Sequence, residues 1–357
     1  MTTLKRPKTA KKAPIKVKNA ADYSAQLLAW FDTHKRDLPW RRGRSPYSVW
    51  LAEIMLQQTT VATVKDYYKR FLAQFPSVEA LANAPLEDVL HLWQGLGYYS
   101  RARNLHKCAQ AVVQDHGGNF PKTAAELQKL PGIGPYTSAA IASIAFNEAA
   151  TVADGNVERV ISRLFAIETP LPDSRPEIRN YAEKLTPNER AGDYAESMMD
   201  LGATICTPKS PKCLLCPLHD LCTARDKGLE AELPRKKPKA KRPEKHGAAY
   251  CIINEKQQIL LRRRPNKGLL AHLWEVPHTG WEHDDLPIDI KGLDQQNHGP
   301  IVHVFTHFKL TLEVHTITAP NGLNPEQGEW VNVADLHTKP LPTLMKKVLQ
   351  QAGVLTA

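Results

Sequence analysis

The 357-residue sequence predicts a multidomain chain, an all-α region followed by a smaller α+β unit, and three observations carry that expectation. From about 22 to 225, apolar residues recur at spacings of three and four, as in Leu51, Ile54 and Met55 and then Val61, Val64, Tyr68 and Leu72. The stretch PRKKPKAKRPEK over 234–245 has three prolines and almost no apolar residue, which reads as a linker. Beyond it, short β-rich runs replace the helical period. The expected boundaries are a basic tail over 1–21, a helical domain over 22–225, a basic linker over 226–245 and an α+β domain over 246–357.

The bulk composition sets limits. An apolar content of 42% in a chain of this length supports two or three domains with their own cores. No apolar run reaches the roughly 18 residues that span a bilayer. The N-terminus lacks the apolar core of about 7 to 15 residues that marks a signal peptide. The expectation is a soluble, intracellular chain, cytoplasmic and nucleoid-associated if bacterial. A formal charge of +10 suggests a polyanionic partner, but the tail (Lys5, Arg6, Lys8, Lys11, Lys12, Lys16, Lys18) and the 234–245 stretch hold thirteen net positive charges. The remainder is near −3, so binding by the folded domains must be argued from sites.

In the helical region, four of the six cysteines fall within seventeen residues, as Cys206-x6-Cys213-x2-Cys216-x5-Cys222. Inside a cell this clustering favours metal ligation over disulfides. On chemistry alone, a four-cysteine zinc site and a 4Fe-4S cluster compete evenly. Cys108 and Cys251 read as plain buried thiols.

LPGIGPYT, residues 130–137, opens an apolar helix with Gly132 and Gly134 bracketing a turn. Consecutive N–H groups at such a turn form an anion site, aided by the helix dipole; a tight helix-to-helix turn without a ligand is the alternative. Two carboxylates stand in apolar company. Asp154, in VADGNV, is placed to cap a helix, and Asn156 can share that work. Glu53, in VWLAEIMLQQTT, lies on a helical stretch with Gln57 on the same face. It is either a surface glutamate or a desolvated one whose raised pKa suits a general acid.

The cysteine spacing resembles the cluster loop of the endonuclease III and adenine DNA glycosylase (MutY) superfamily, which makes a 4Fe-4S cluster the expected cofactor. L-P-G-x-G-x-x-T resembles the second half of that superfamily's helix-hairpin-helix motif. E-x-x-x-Q-Q-T, then L-P-G-x-G, then D-G-N-V resembles the motif series of the adenine DNA glycosylases over residues 22–225. The resemblance implies that Glu53 protonates the adenine and later activates water. It assigns Asp154 the stabilising of the cationic sugar, with Asn156 beside it. Relatives that cleave the strand carry a lysine where this chain has Tyr136, and tyrosine cannot form a Schiff base. A monofunctional glycosylase is implied.

Such an enzyme must extrude the base from the duplex. Gln57, Gln58 and Tyr98 are the candidates to fill the gap; by resemblance, Gln58 with Thr59 enters the stack beside the opposite base, Leu96 and Tyr98 of GLGYYSR wedge it, and Gly132 and Gly134 grip phosphate. Arg41 and Glu196 match adenine-pocket positions, or are ordinary surface charges. The C-terminal unit resembles the Nudix-like (MutT-like) domain of the family, in which Phe305-Thr306-His307 would recognise 8-oxoguanine. Residues 246–357 contain neither Arg-Glu nor Glu-Glu, so the magnesium-binding helix of a Nudix hydrolase is missing. The arginines of RRRPNKGLL read as surface strand residues. The implied partner is double-stranded DNA carrying adenine opposite 8-oxoguanine or guanine, bound by a monomer, with no membrane. Two rivals stand beside this reading. One is an endonuclease III-like glycosylase and lyase for oxidised pyrimidines, disfavoured by Tyr136 and by the second domain. The other is a non-catalytic iron-sulfur mismatch-binding protein, disfavoured by Glu53 and Asp154.

Overall fold

Helix starts in this chain are set by short polar side chains that replace the missing partner of a first-turn N–H. Thr60, Ser77 and Thr123 each accept from the N–H three residues on, and Asp154 accepts from those of Asn156 and Val157. The computed structural model describes residues 19–238, 241–282, 286, 290, 292–320 and 328–356. The basic tail expected over 1–21 lies outside the described residues up to position 18, as do positions 239 and 240 of the linker. The helices are α1 (Ala20–His34), α2 (Pro46–Leu56), α3 (Val61–Gln74), α4 (Val78–Asn83), α5 (Leu86–Leu92), α6 (Ser100–His116) and α7 (Ala124–Leu127). They continue with α8 (Pro135–Phe146), α9 (Gly155–Leu164), α10 (Arg175–Leu185), α11 (Ala191–Thr204) and α12 (Thr223–Asp226). Among the described residues no helix is long and apolar enough to cross a membrane.

The chain divides into two compact units, and the helical region contributes to both. One holds the residues up to Val49, Pro121–Lys129 and Ile133–Pro238; the other holds Trp50–Phe120, Leu130–Gly132 and the residues from Lys239 on. In the first, α9 buries Val157, Val160, Ile161 and Leu164 in a core shared with Leu27 of α1, Ile178 of α10 and Met198 of α11. The stretch just after α12, expected as the start of a linker, is fastened to this unit. Leu233 is buried, its carbonyl accepts from Arg163 Nε at 2.9 Å, and Leu171 N–H donates to Arg235 O at 2.8 Å.

In the second unit, α3 to α6 pack around aromatic contacts such as Phe71 edge-on to Trp93. A six-stranded sheet follows: β1 (Glu244–Ile253), β2 (Gln258–Arg263), β3 (Trp274–Glu275), β4 (Gln295–Val304), β5 (Lys309–Thr318) and β6 (Glu329–Asn332). The order is β3-β2-β1-β5-β4, with β6 on β2. β1 and β5 run parallel from Glu244↔Lys309 to Ile253↔Thr318, and the other pairs are antiparallel. Helix α13 (Thr343–Gln351) closes the core with Leu344, Met345, Val348 and Leu349. β4 ends at Val304, where Phe305 N–H bonds Phe308 O at 2.9 Å and closes a turn.

The arginines expected on the strand surface are a correction. Arg262 and Arg264 are buried around Glu275; of the three, Arg263 is exposed. Arg262 Nε donates to Glu275 Oε1 at 2.8 Å and Arg264 Nη1 to Oε2 at 2.5 Å, while His278 Nε2 lies 2.9 Å from Oε2. A strand arginine can point inward only where an acid meets it, and the acid lies eleven or more residues away in sequence. Burial tends to raise Glu275, but His278 and the arginines hold its pKa below the usual value; burial lowers that of His278. Both folded values are depressed, so both groups stabilise the fold at neutral pH. That stabilisation fades as pH falls below about 6.5 for His278, and below about 4.3 for Glu275. Glu275→Gln removes the carboxylate that two buried guanidinium groups share and should destabilise the fold by about 3–5 kcal/mol. Urea titration followed by tryptophan fluorescence checks this, and repeating it on the unmodified chain from pH 7 to pH 4 should show stability falling with acid.

Candidate active site

Residues 50–55 of α2 are buried on every face of the helix, and Glu53 among them is 5% exposed. Of the two readings of this residue, the surface glutamate is therefore removed. Glutamate enters such surroundings only when partnered or functional. Just beyond the helix, Gln58 is exposed with a φ of 58°, and on the neighbouring turn Tyr98 is 45% exposed with a φ of 48°. Left-handed backbone at two non-glycine residues is held only where the surroundings over-determine it. Here the holding group is Arg101, which sequence reasoning missed. Its Nη1 donates to Ile54 O and Met55 O at 2.8 and 2.9 Å, and its Nη2 to Leu96 O, Gly97 O and Thr59 Oγ1 at 3.0 to 3.2 Å. Burial lowers its pKa to about 10, so it stays charged at neutral pH. A cleft of about 230 Å³ gathers Gln57, Gln58, Tyr98, Arg101, Asn104 and Gly132. Leu96 is 5% exposed, so of the two expected wedge residues the surface presents Tyr98 and the core keeps Leu96.

The two glycines of the turn differ. Gly132 has φ +74°, and a Cβ there would meet Asn104 Cβ at 2.5 Å, so the fold itself requires glycine. Gly134 has an ordinary φ and open space at its missing Cβ, and Pro135 follows at the first helical position. That open space is where an outside group can approach the N-terminus of α8. Tyr136 lines a cleft of about 330 Å³ with Pro135, Thr151, Ala153, Arg179 and Glu183.

Asp154 is the N-cap of α9, and its carboxylate is fully engaged. Oδ1 accepts from Asn156 N at 2.9 Å and Val157 N at 2.7 Å, and Oδ2 from Asn156 Nδ2 at 2.9 Å. Asn156 is held in turn by Arg159 Nη2 at 2.9 Å, and Arg159 also donates to Gly202 O and Cys206 O. Arg163, one turn on, donates to Cys206 Sγ at 3.3 Å and to Thr207 O at 2.8 Å. The four cysteines are half-buried and line one cavity with Arg163, Ile205 and His219, and Cys206, Cys216 and Cys222 pack at the edge of the α9 core. Burial raises the Cys213, Cys216 and Cys222 thiols, Cys216 to about 12, and the sulfurs repel one another as anions. Such a donor set persists as thiolates only around a soft cationic centre, and it fits a 4Fe-4S cluster. Cys108 and Cys251, outside this loop, are fully buried.

Arg41 and Glu196, the remaining helical-region expectations, are not surface charges. Arg41 grips Asp200 with two 2.7 Å bonds and reaches Glu196 at 3.2 Å, and Arg44 bonds Glu196 at 2.5 Å. Asp200 also takes Arg36 Nε at 2.7 Å. Burial raises the Glu196 pKa against the pull of Arg41 and Arg44; Asp200 stays below its usual value because its arginines outweigh burial. Asp200 follows Glu196 by four on α11, a same-face spacing that could have revealed it. In the sheet domain, Phe305, Thr306 and His307 form the β4–β5 turn, and the Thr306 hydroxyl lies 3.2 Å from that of Tyr98.

Comparison with known proteins agrees with this geometry. Residues 51–188 match the HhH-GPD superfamily of base excision DNA repair proteins, 206–222 the iron-sulfur binding domain of endonuclease III, and 248–351 the NUDIX domain. A thermostable thymine-DNA glycosylase superposes with a TM-score of 0.54 at 32% identity, over 59% of this chain and 98% of its own. Endonuclease III in a non-covalent DNA complex gives 0.51 at 28% identity, over 60% and 99%. These define the class, a helix-hairpin-helix DNA glycosylase with a 4Fe-4S loop and a Nudix-like C-terminal domain. Adenine DNA glycosylase of Homo sapiens is 37% identical over 92% of this chain and 73% of its own length. That of Buchnera aphidicola (strain Sg) is 33% identical over 92% and 98%. The chain belongs to the adenine DNA glycosylase family.

Two outcomes follow for the charges and thiolates. Asp200→Asn should cost about 3–5 kcal/mol in chemical denaturation, because Arg36 and Arg41 lose a buried partner. Cys216→Ser should lower iron content and visible charge-transfer absorption and depress the melting temperature; absorption that persists with full iron content would exclude Cys216 as a ligand.

Proposed function

We propose that this chain is a monofunctional adenine DNA glycosylase that acts as a monomer, excising adenine paired with 8-oxoguanine or guanine and leaving an abasic site. On this reading it works inside the cell on chromosomal DNA. The observation that carries it is the burial of Glu53 in a helix whose end opens on the cleft of Gln57, Gln58 and Tyr98. A desolvated carboxyl group can keep its proton at neutral pH and give it to a base.

In the proposed reaction the Glu53 acid donates its proton to the imidazole-ring nitrogen of the extruded adenine. The bond from the sugar to the base breaks, its electron pair leaves with adenine, and an oxocarbenium-like sugar remains. Asp154, oriented by its three hydrogen bonds, stabilises that cation. The Glu53 carboxylate then takes a proton from water as the water oxygen bonds the sugar, so free adenine and an abasic site result. Asn156 keeps the Asp154 oxygens aimed. Tyr136 offers no amine, so the sequence of steps ends there. In this reading Gln57, Gln58, Thr59 and Tyr98 fill and kink the emptied duplex, Leu96 supports Tyr98 from the core, and Gly132 and Gly134 approach phosphate. Arg41 and Glu196 shape the adenine pocket, and Phe305, Thr306 and His307 read the opposite base. A threonine methyl beside the reading hydroxyl is compatible with that contact. The four cysteines would hold the 4Fe-4S cluster, which supplies folding stability and no reacting group.

The test is a single-turnover assay on a duplex with adenine opposite 8-oxoguanine. Adenine should be released without a borohydride-trapped protein–DNA adduct, and Asp154→Asn should slow release by about 10²–10³-fold or more with binding retained. Full activity in that variant removes the mechanism. A trapped adduct removes the monofunctional reading, and binding without turnover by the unmodified chain leaves a mismatch-binding protein.

A further inference from the structure

The turn joining α5 to α6 has two ends with different partners in the sheet domain. At its start, Gln94 uses both halves of its amide: Nε2 donates to Lys339 O at 2.7 Å, and Oε1 accepts from Lys346 Nζ at 2.8 Å. At its end, Tyr98 meets the Thr306 hydroxyl. Between them the backbone is pinned by side chains from three places. Tyr67 OH donates to Gln94 O, Trp93 Nε1 to Gly97 O, and Arg101 to Leu96 O and Gly97 O. Two more ties flank the turn. Glu87 Oε1 accepts from the nearly buried indole of Trp274 at 2.9 Å, and Arg103 Nη1 donates to Ala271 O at 3.0 Å.

We infer that Glu87 and Gln94 are positioning residues that fasten the sheet domain so that the Thr306 turn is seated beside Tyr98, and that they thereby set the preference for 8-oxoguanine over guanine. This rests on the proposed reading of the opposite base by Thr306. None of the ties touches the carboxylates assigned to bond cleavage, so their effect is confined to geometry. Two bases that differ at a few ring atoms are told apart by hydrogen bonds that tolerate little displacement, and a pre-seated reader avoids the ordering cost of closing on DNA. Individually, exposed polar ties are weak. Here they act together because the segment between them is rigid.

The experiment uses the full cluster-loaded chain carrying Glu87→Leu and Gln94→Leu, with excision rates and dissociation constants measured on duplexes holding adenine opposite 8-oxoguanine or guanine. The expected result is a roughly tenfold fall in the 8-oxoguanine to guanine affinity ratio, with the saturated rate opposite guanine and the cluster absorption unchanged. Glu87→Gln, which keeps an acceptor for Trp274, should retain the ratio of the unmodified chain. An unchanged ratio in the double variant overturns the inference, as does an equal loss on both duplexes. If the unmodified chain itself shows no preference, the reading of Thr306 falls and the inference with it.

Discussion

The unit that holds Glu53 depends on one buried guanidinium. Without it, carbonyls at the C-terminal end of α2 and in the turn before α6 would lose a buried donor, each at a cost of a few kcal/mol. Arg101 bonds Ile54 O, Met55 O and Leu96 O, shares Gly97 O with Trp93, and reaches Thr59 as well, from a residue 7% exposed. Its five donors in a fixed plane allow one side chain to bind two chain segments at once, which lysine could not do. The strained backbone at Gln58 and Tyr98 follows from that anchorage. Both segments are held from beneath, so their exposed tips can occupy conformations the chain alone would leave.

The same device recurs elsewhere. In the first unit Arg36, Arg41 and Arg44 surround Asp200 and Glu196; in the sheet domain Arg262, Arg264 and His278 surround Glu275. Each acid is almost wholly buried, and each is met by more than one cation. Such clusters contribute little net stability compared with a well-packed apolar core, but they punish alternative arrangements heavily, because any misregistered strand or helix leaves a charge unpaired. In the sheet domain the consequence reaches the surface: Arg264 lies 4.5 Å from the Trp281 ring and His278 stacks on it, and Trp281 packs 5.7 Å from Phe305 of the exposed turn.

Asp154 illustrates that a structural role and a proposed chemical one need not compete. Capping α9 orients its oxygens and places them at the positive end of a helix dipole. The same three hydrogen bonds suit a carboxylate meant to face a developing cation. Through Asn156 and Arg159 this cap is continuous with the backbone at Cys206, so the order of the cysteine loop and the aim of the carboxylate share one hydrogen-bonded framework.

Local features were legible from sequence because their causes are local. The helical period up to the cysteine loop, the cap at Asp154 and the cysteine spacing are all set within a few residues of chain. Family resemblance then supplied the chemistry that spacing alone left open between zinc and iron-sulfur. What only the tertiary structure decided was the placement of charge: that Glu53, Glu196, Arg262 and Arg264 are buried, that Arg101 binds two turns, and that Leu96 turns inward where Tyr98 turns out. Burial of a charged side chain is fixed by its partner, and the ion partners of Glu196, Arg262 and Arg264 at Arg41, Arg44 and Glu275 lie from eleven to more than 150 residues away. No periodicity within a single element records so distant a neighbour.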